Sequence, residues 1–276
     1  MSAFTQMEGR VAVVTGGASG IGFGIARRLG EQGMKLVIAD IDPVPLANAA
    51  AELGALPVRT DVSDADSVAQ LAQAVIDEFG AVHVVCNNAG VGSSATIAEM
   101  NLSDWRWMID VNLYGVINGV NAFLPLLKKN AEGGHFVNTA SIGGLASMPG
   151  MAAYAVTKFG VVALTETLAM ELAAEGSKVG ATVLCPGTVR TNIKNSTRNR
   201  PAVLAGGAMA DIDLEQSEFG ALMRWAAPDE VGDIVVRAIG RGDLYAFTHP
   251  EMCDAILKRH DMIAQAVAAA HAELEA

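Results

Sequence analysis

Cysteine is scarce in this chain, and its placement excludes more than its number does. Cys86, Cys185 and Cys253 are the three present in 276 residues. An odd set with no C-x-x-C spacing argues against a disulfide framework or a zinc site. Two of them lie inside apolar, strand-like runs, where a thiol serves as a small hydrophobe. The five histidines form no H-E-x-x-H, so no metal site is expected. Basic residues are also in deficit: 19 Lys and Arg face 30 Asp and Glu, for a formal charge of −11. Phosphate backbones attract basic surfaces, so no nucleic-acid partner is expected, although an acidic protein can still hold a small anion at a helix N-terminus. No apolar run reaches the roughly 18 residues that a membrane span needs. The first ten residues, MSAFTQMEGR, lack the charged-then-apolar layout of a signal segment. The expectation is a cytoplasmic protein without membrane contact. Fixed-period repeats and Pro/Gly/Ser-rich linkers are missing too, which points to one domain over 1–276.

What is present is alternation. Hydrophobic residues make up 51% of the chain and glycine numbers 29, as suits parallel strands buried on both faces. Short β-branched bursts bounded by Gly, Pro, Asp or Asn predict strands at Arg10–Thr15, Lys35–Asp40, Leu56–Thr60, Val82–Cys86, His135–Thr139, Ala181–Cys185 and Leu244–Thr248. Longer patterns between them predict helices at Gly20–Gln32, Pro43–Leu53, Asp64–Phe79, Asp104–Lys128, Ala152–Glu175 and Pro228–Ile239. Seven strands joined by helical crossovers imply an α/β, Rossmann-type fold: a doubly wound parallel seven-stranded sheet with helices on both faces. Two stretches depart from this rhythm. Residues 188–227 loosen into polar, Gly-containing sequence, expected to be a variable loop outside the carboxyl ends of the strands, where such sheets bind ligands. A mobile surface loop with no part in chemistry is the competing reading. Residues 251–276 read as an Ala-rich helical extension, which either packs on a neighbouring subunit or caps the domain.

After the first strand comes Thr15-Gly16-Gly17-Ala18-Ser19-Gly20-Ile21-Gly22. Gly16, Gly20 and Gly22 have the spacing G-x-x-x-G-x-G. Glycines there let the backbone turn tightly and approach a pyrophosphate, whose charge meets the positive end of the next helix. A tight strand–helix turn alone would also need glycine, so position after the first strand is what gives the motif weight. Asp40 closes the second strand, 20 residues after Gly20. A carboxylate there accepts hydrogen bonds from the adenosine ribose and repels a 2′-phosphate. Ile41, Asp42 and Pro43 follow it, and Ser19 precedes Gly20; with no basic residue at either place, NAD is favoured over NADP. A capping role for the acidic end competes, because Asp42-Pro43 is also a helix start. Asp61 and Val62 end the third strand and are placed to contact adenine, while Asn88, Ala89 and Gly90 end the fourth, where small residues let a flat cofactor lie close. Each alone is compatible with ordinary turn chemistry.

Tyr154 and Lys158 open a long helix four residues apart and share one face. A phenol titrates near pH ~10, and a nearby ammonium is expected to lower that value. Tyr154 then takes a proton from an alcohol or returns one to a developing alkoxide. Ser141, just after the fifth strand, can hydrogen-bond the substrate oxygen; a turn or capping serine is the alternative. Asn112 sits in a helical pattern where propensity gives it little reason to be. It is expected either to disturb the helix and hold water near Lys158, or simply to face solvent.

Taken in order, TGGASGIG, Asp40, Asp61-Val62, NNAG, Asn112, Ser141, YAVTK and PGTVRT (Pro186–Thr191) resemble the short-chain dehydrogenase/reductase family over nearly the whole chain. The resemblance implies a catalytic tetrad of Asn112, Ser141, Tyr154 and Lys158. It implies that Lys158 bonds the nicotinamide ribose, that Val189 and Thr191 hold the carboxamide side, and that subunits form homodimers or homotetramers. The extension beyond Pro250 is longer than the family minimum. The expected reaction interconverts a secondary alcohol and a ketone with NAD. Gly143, Leu145, Met148 and Met151 suggest an apolar pocket for a bulky hydrophobic or aromatic small molecule. A 3-oxoacyl-thioester reductase is the alternative enzyme; reductases of that kind in the family generally use NADPH, so Asp40 counts against it. A non-catalytic dinucleotide-binding scaffold is the alternative from another class, disfavoured by the intact tetrad.

Overall fold

The computed structural model describes residues 2–218 and 220–274. Residue 219, inside the expected loop, and the last two residues of the expected extension lie outside this range. Seven strands form one sheet: β1 (Val11–Thr15), β2 (Lys35–Asp40), β3 (Leu56–Arg59), β4 (Val84–Asn87), β5 (Gly134–Thr139), β6 (Val179–Cys185) and β7 (Tyr245–Phe247). Their spatial order is β3-β2-β1-β4-β5-β6-β7 and every neighbouring pair is parallel. Parallel neighbours need crossovers, and the helices provide them. These are α1 (Gly20–Glu31), α2 (Pro43–Leu53), α3 (Ala65–Phe79), α4 (Leu102–Ile109), α5 (Gly115–Leu127), α6 (Ala152–Ala174), α7 (Pro228–Arg241) and α8 (Asp254–Leu274). The chain works outward from β1 to β3, then restarts on the other side of β1 at β4. That reversal opens a crevice at the carboxyl ends of β1 and β4, where sheets of this kind take their ligands.

The helix starts follow from their capping residues. Asp42 accepts from the Val44 amide and Asp64 from the Asp66 amide, while Asn101 and Asp104 form a reciprocal capping box at α4. The single helix expected over Asp104–Lys128 is instead two, α4 and α5, joined by a π-helical turn at Asp110–Tyr114 that contains Asn112. A polar side chain drawn out of register by partners elsewhere in the fold explains the extra residue in that turn. The apolar core divides into a layer on either face of the sheet. One joins strand residues such as Val13, Val85 and Phe136 to Leu71, Phe123 and Val161 on α3, α5 and α6; the other joins Val14, Ile38 and Cys86 to Ile25, Leu46 and Val235 on α1, α2 and α7. Among the described residues, no helix is long and apolar enough to cross a membrane.

One polar thread runs through this core. Asn87 at the end of β4 donates to Asn138 Oδ1 of β5 at 2.9 Å, and Asn138 donates to Thr165 Oγ1 of α6 at 3.1 Å. Thr165 in turn donates to the Val161 carbonyl. All three side chains are buried, so removing one member strands its neighbour without water to replace it. Thr165→Val, close in shape but without the acceptor, is expected to cost about 1 to 3 kcal/mol. Urea unfolding measures this, and a midpoint equal to that of the parent would mean the thread contributes nothing.

Candidate active site

The glycine turn leaves β1 and enters α1 at the crevice. Gly16 and Gly20 hold φ of 63° and 53°, backbone that a side chain disfavours. A Cβ on Gly22 would lie 2.2 Å from the Gly16 carbonyl oxygen, so the third glycine is required by the closeness of turn and helix. Ser19 is exposed and its hydroxyl makes no capping bond, which leaves the first-turn amides of α1 directed at an incoming anion. Ile21 packs into the adjoining apolar layer. Asp40 stands beside this turn: its Oδ2 accepts from the Ala18 amide at 3.3 Å and its Oδ1 from the Asp42 amide at 3.2 Å. Burial raises its carboxyl above the ordinary value, against the pull of the Asp42, Ala18 and Ile41 amides. Since Asp42 performs the helix capping, the capping role considered for Asp40 is already filled.

The other strand ends behave less uniformly. Asp61 Oδ1 accepts from the amide and hydroxyl of Ser63 at 3.0 and 2.6 Å, and the Val62 carbonyl accepts from Asn118 Nδ2 at 2.9 Å. Asn88 spends its side chain internally. Its Nδ2 donates to the Thr15 carbonyl at 3.0 Å and its Oδ1 accepts from Thr139 Oγ1 at 3.3 Å. What Asn88 offers a cofactor is therefore a fixed strand end. The Ala89 amide is held by Thr15 Oγ1 at 3.1 Å. On the far wall, a Cβ on Gly20 would lie 3.0 Å from Thr191 Cγ2, so Thr191 borders the glycine turn. Val189, buried, pairs with Ala226 in an isolated bridge. The residues present thus form a cradle that fits a dinucleotide: close backbone at the turn, a carboxylate at the second strand and a threonine wall opposite.

The candidate reacting groups gather at the end of β5. Ser141 Oγ accepts from the Gly143 amide at 3.1 Å and faces Tyr154, whose phenol it pulls down. Lys158 is 4% exposed. Its Nζ donates to the Thr139 carbonyl at 2.9 Å and lies 5.6 Å from the centroid of the Tyr154 ring. Burial lowers the ammonium from 10.5 to about 8. Burial also raises the Tyr154 phenol, and the opposing influence comes from Ser141. The expectation that the lysine lowers this phenol is corrected: in the protein alone desolvation is the largest influence and the net direction is upward. Asn112 is fully buried, so it is not a solvent-facing residue. It clasps Val91 in both directions, accepting from the amide at 2.8 Å and donating to the carbonyl at 2.9 Å. Gly90 sits between it and the lysine: a Cβ there would lie 3.1 Å from Asn112 Oδ1 and 3.6 Å from Lys158 Nζ.

Of the four apolar residues expected to form a pocket, Gly143 borders the Tyr154 ring and Met148 is exposed. Leu145 is instead part of the core on the α6 face, because the short helical turn at Ile142–Gly144 rotates it inward. Met151 precedes α6, half-buried. Thr15 and Thr139, which tie the strand ends together, escape a reading of the sequence. A β-branched hydroxyl closing a buried strand is their only signal.

A doubly wound parallel sheet whose glycine turn and acidic second strand meet at the reversal point defines a dinucleotide-binding α/β protein. The model of the short chain dehydrogenase family matches residues 10–202, and the chain belongs to that family of oxidoreductases. It is 30% identical to a C alpha-dehydrogenase of Sphingobium sp. over 95% of this chain and 88% of that protein. A short chain dehydrogenase/reductase of Burkholderia phymatum, solved in complex with NAD, superposes with a TM-score of 0.86 at 37% identity, over 94% of this chain and 96% of the other. A 3-ketoacyl-(acyl-carrier-protein) reductase of Brucella melitensis, solved with NADH, gives 0.75 at 26% identity, over 88% and 97% of the two chains.

The depressed lysine has a consequence for stability. Its folded pKa of about 8 lies below the ordinary 10.5, so between these values the unfolded chain holds a proton that the folded one has released. Stability contributed by this group therefore rises with pH across that window. Against a Lys158→Met variant, the parent is expected to gain relative stability as pH rises from about 8 to 10.5. Urea titrations across the window measure the difference; a constant gap would mean that Lys158 titrates normally.

Proposed function

We propose that the protein interconverts a secondary alcohol and a ketone, with NAD as the hydride carrier and Tyr154 as the group that moves the proton. The observation that carries this reading is the gathering of Ser141, Tyr154 and Lys158 at the end of β5, beside the glycine cradle. When bound, the nicotinamide supplies the hydride acceptor or donor. The Ser141 hydroxyl holds the substrate oxygen. The Tyr154 phenol protonates the developing alkoxide in reduction and accepts the alcohol proton in oxidation. Lys158, charged at neutral pH, hydrogen-bonds the cofactor ribose. Asn112 acts through Val91 and Gly90, keeping the segment over Lys158 in place. Gly16, Ser19, Gly20, Ile21 and Gly22 receive the pyrophosphate, Asp40 the adenosine ribose, Asp61 and Val62 the adenine, Asn88, Ala89 and Gly90 the central stretch, and Val189 and Thr191 the carboxamide. The segment 188–227 closes over an apolar substrate.

The Brucella neighbour supports a second reading, a 3-oxoacyl-thioester reductase. Because that neighbour was solved with NADH, cofactor choice does not separate the two; a side-by-side assay of acetoacetyl thioester reduction and 1-phenylethanol oxidation does.

Tyr154→Phe is expected to lower kcat by about 10²- to 10⁴-fold while leaving the Kd for NADH unchanged. Steady-state kinetics with fluorescence titration checks both, and an active variant would require another proton-transferring group. Turnover is expected to be much faster with NAD than with NADP, and Asp40→Ala should narrow that preference by roughly tenfold or more through loss of like-charge repulsion. An unchanged ratio of kcat/KM values would place the ribose contact elsewhere.

A further inference from the structure

Asp104 caps α4 and has no place among the site residues assigned so far, yet its carboxylate is completely buried. An isolated carboxylate at such a site is costly unless hydrogen bonds meet it. Four donors do so. Oδ2 accepts from the amides of Asn101 and Ala208, both at 3.0 Å, and Oδ1 from Arg200 Nη1 at 2.6 Å and the Met209 amide at 3.4 Å. The first bond caps α4. The other three come from the segment after β6, about a hundred residues along the chain.

Arg200 is equally committed. Its guanidinium lies over the Trp107 ring at 5.3 Å, and its Nε donates to the Leu204 carbonyl at 2.7 Å. One carboxylate therefore folds residues 200–209 into a loop and fastens that loop to α4.

The fastening leads to the reacting groups by two routes. Met209 packs with Val91, Trp107 and Ala153 in a small apolar cluster that Tyr154 joins. Ala210 exchanges backbone hydrogen bonds with Ser94 at 3.0 and 3.1 Å. Upstream, Ser196 Oγ accepts from the Gly92 amide at 2.9 Å, and Ile193 shares the space above Gly92 with Tyr154, since a Cβ there would lie 3.1 Å from Ile193 Cδ1 and 4.0 Å from Tyr154 Cε2.

We propose that Asp104 is a positioning residue for substrate binding: by gripping Arg200, Ala208 and Met209, its buried carboxylate sets the segment that places Ile193 over Gly92, on the Tyr154 side, and so forms the apolar wall facing the substrate. This inference rests on the alcohol–ketone reading for its kinetic arm and on geometry alone for its proteolytic arm.

Two full-length variants test it. Asp104→Asn puts an amide N–H₂ in place of one carboxylate oxygen, against two of the four donors, and Arg200→Gln leaves the capping of α4 intact while removing the guanidinium bonds that fasten the segment. Both are expected to raise the KM for 1-phenylethanol about tenfold, with kcat changed less than about threefold and the Kd for NADH unchanged. Tryptic cleavage after the exposed Arg198 should accelerate at least about fivefold in each, because local opening governs cleavage. Arg200→Lys, which keeps the charge without the fork, should recover part of both effects. A role confined to α4 would lower thermal stability in Asp104→Asn alone, with wild-type KM and cleavage in Arg200→Gln, and would overturn the proposal. So would a loss of kcat at unchanged KM. If the parent turns over no secondary alcohol, the proposed reaction fails, and the cleavage rates still report whether Asp104 fixes the segment. Should Asp104→Asn not fold, the KM and cleavage rate of Arg200→Gln decide the matter alone.

Discussion

A single run of hydrogen bonds holds the site in register. It starts at Lys158 Nζ on α6, passes to the Thr139 carbonyl at the end of β5, continues from Thr139 Oγ1 to Asn88 Oδ1 beyond β4, and reaches the Thr15 carbonyl at the end of β1 through Asn88 Nδ2. Thr15 Oγ1 returns two contacts, accepting from the amides of Asn88 and Ala89. Three parallel strands thus end at one level, locked by side chains that water would otherwise solvate. The glycine turn lies at one end of the run and the tyrosine–lysine pair at the other. Their separation is set by the sheet, whose strand spacing is close to constant at about 4.8 Å, and not by the loops between them.

The same burial that makes the run stiff works against the proton transfer proposed for it. Desolvation favours the neutral forms of both Tyr154 and Lys158, whereas a proton-transferring phenol benefits from a charged neighbour. The protein answers with specific acceptors and donors. The Thr139 carbonyl receives a hydrogen bond from the ammonium, and Ser141 draws the phenol down. With its lysine at about 8, the charge persists at neutral pH with little to spare. A site buried more deeply would lose that charge, and one more exposed would lose the geometry, so the depth of Lys158 is a compromise between electrostatics and order.

Much of this is legible in the sequence, because much of it is local. The seven strands, the glycine turn and the Tyr154–Lys158 spacing depend on residues near one another in the chain, where periodicity and turn chemistry speak directly. Strand ends move by a residue or two, as at β4, which runs from Val84 to Asn87 in place of Val82 to Cys86. Two of the failures are non-local and one is a matter of a single turn. The π turn at Asn112 answers to Val91 and Thr157, neither of which a helical pattern can reveal. Leu145 looks like pocket lining because it is apolar and close to Ser141 in sequence, but one short helical turn sends it into the core. Asp104 draws no notice, since an acidic residue in the first turn of a helix is ordinary; its distant partners are what set it apart.

Those distant partners give α4 a double attachment. Its N-terminal turn grips the segment 200–209 through Asp104. Its C-terminal turn carries Met108, whose Sδ accepts from Asn112 Nδ2 at 2.9 Å, and runs straight into the π turn. Asn112 then holds Val91, one residue from each of Gly90 and Gly92, which border Lys158 and Tyr154 respectively. A helix of eight residues is about 12 Å long, and these two attachments sit at its opposite ends. The segment expected to vary with the substrate and the segment expected to stay fixed for chemistry are therefore clamped to opposite ends of one short rod. Loosening the Asp104 grip therefore reaches the substrate side first, because Asn112 keeps its own two bonds to Val91 at the other end.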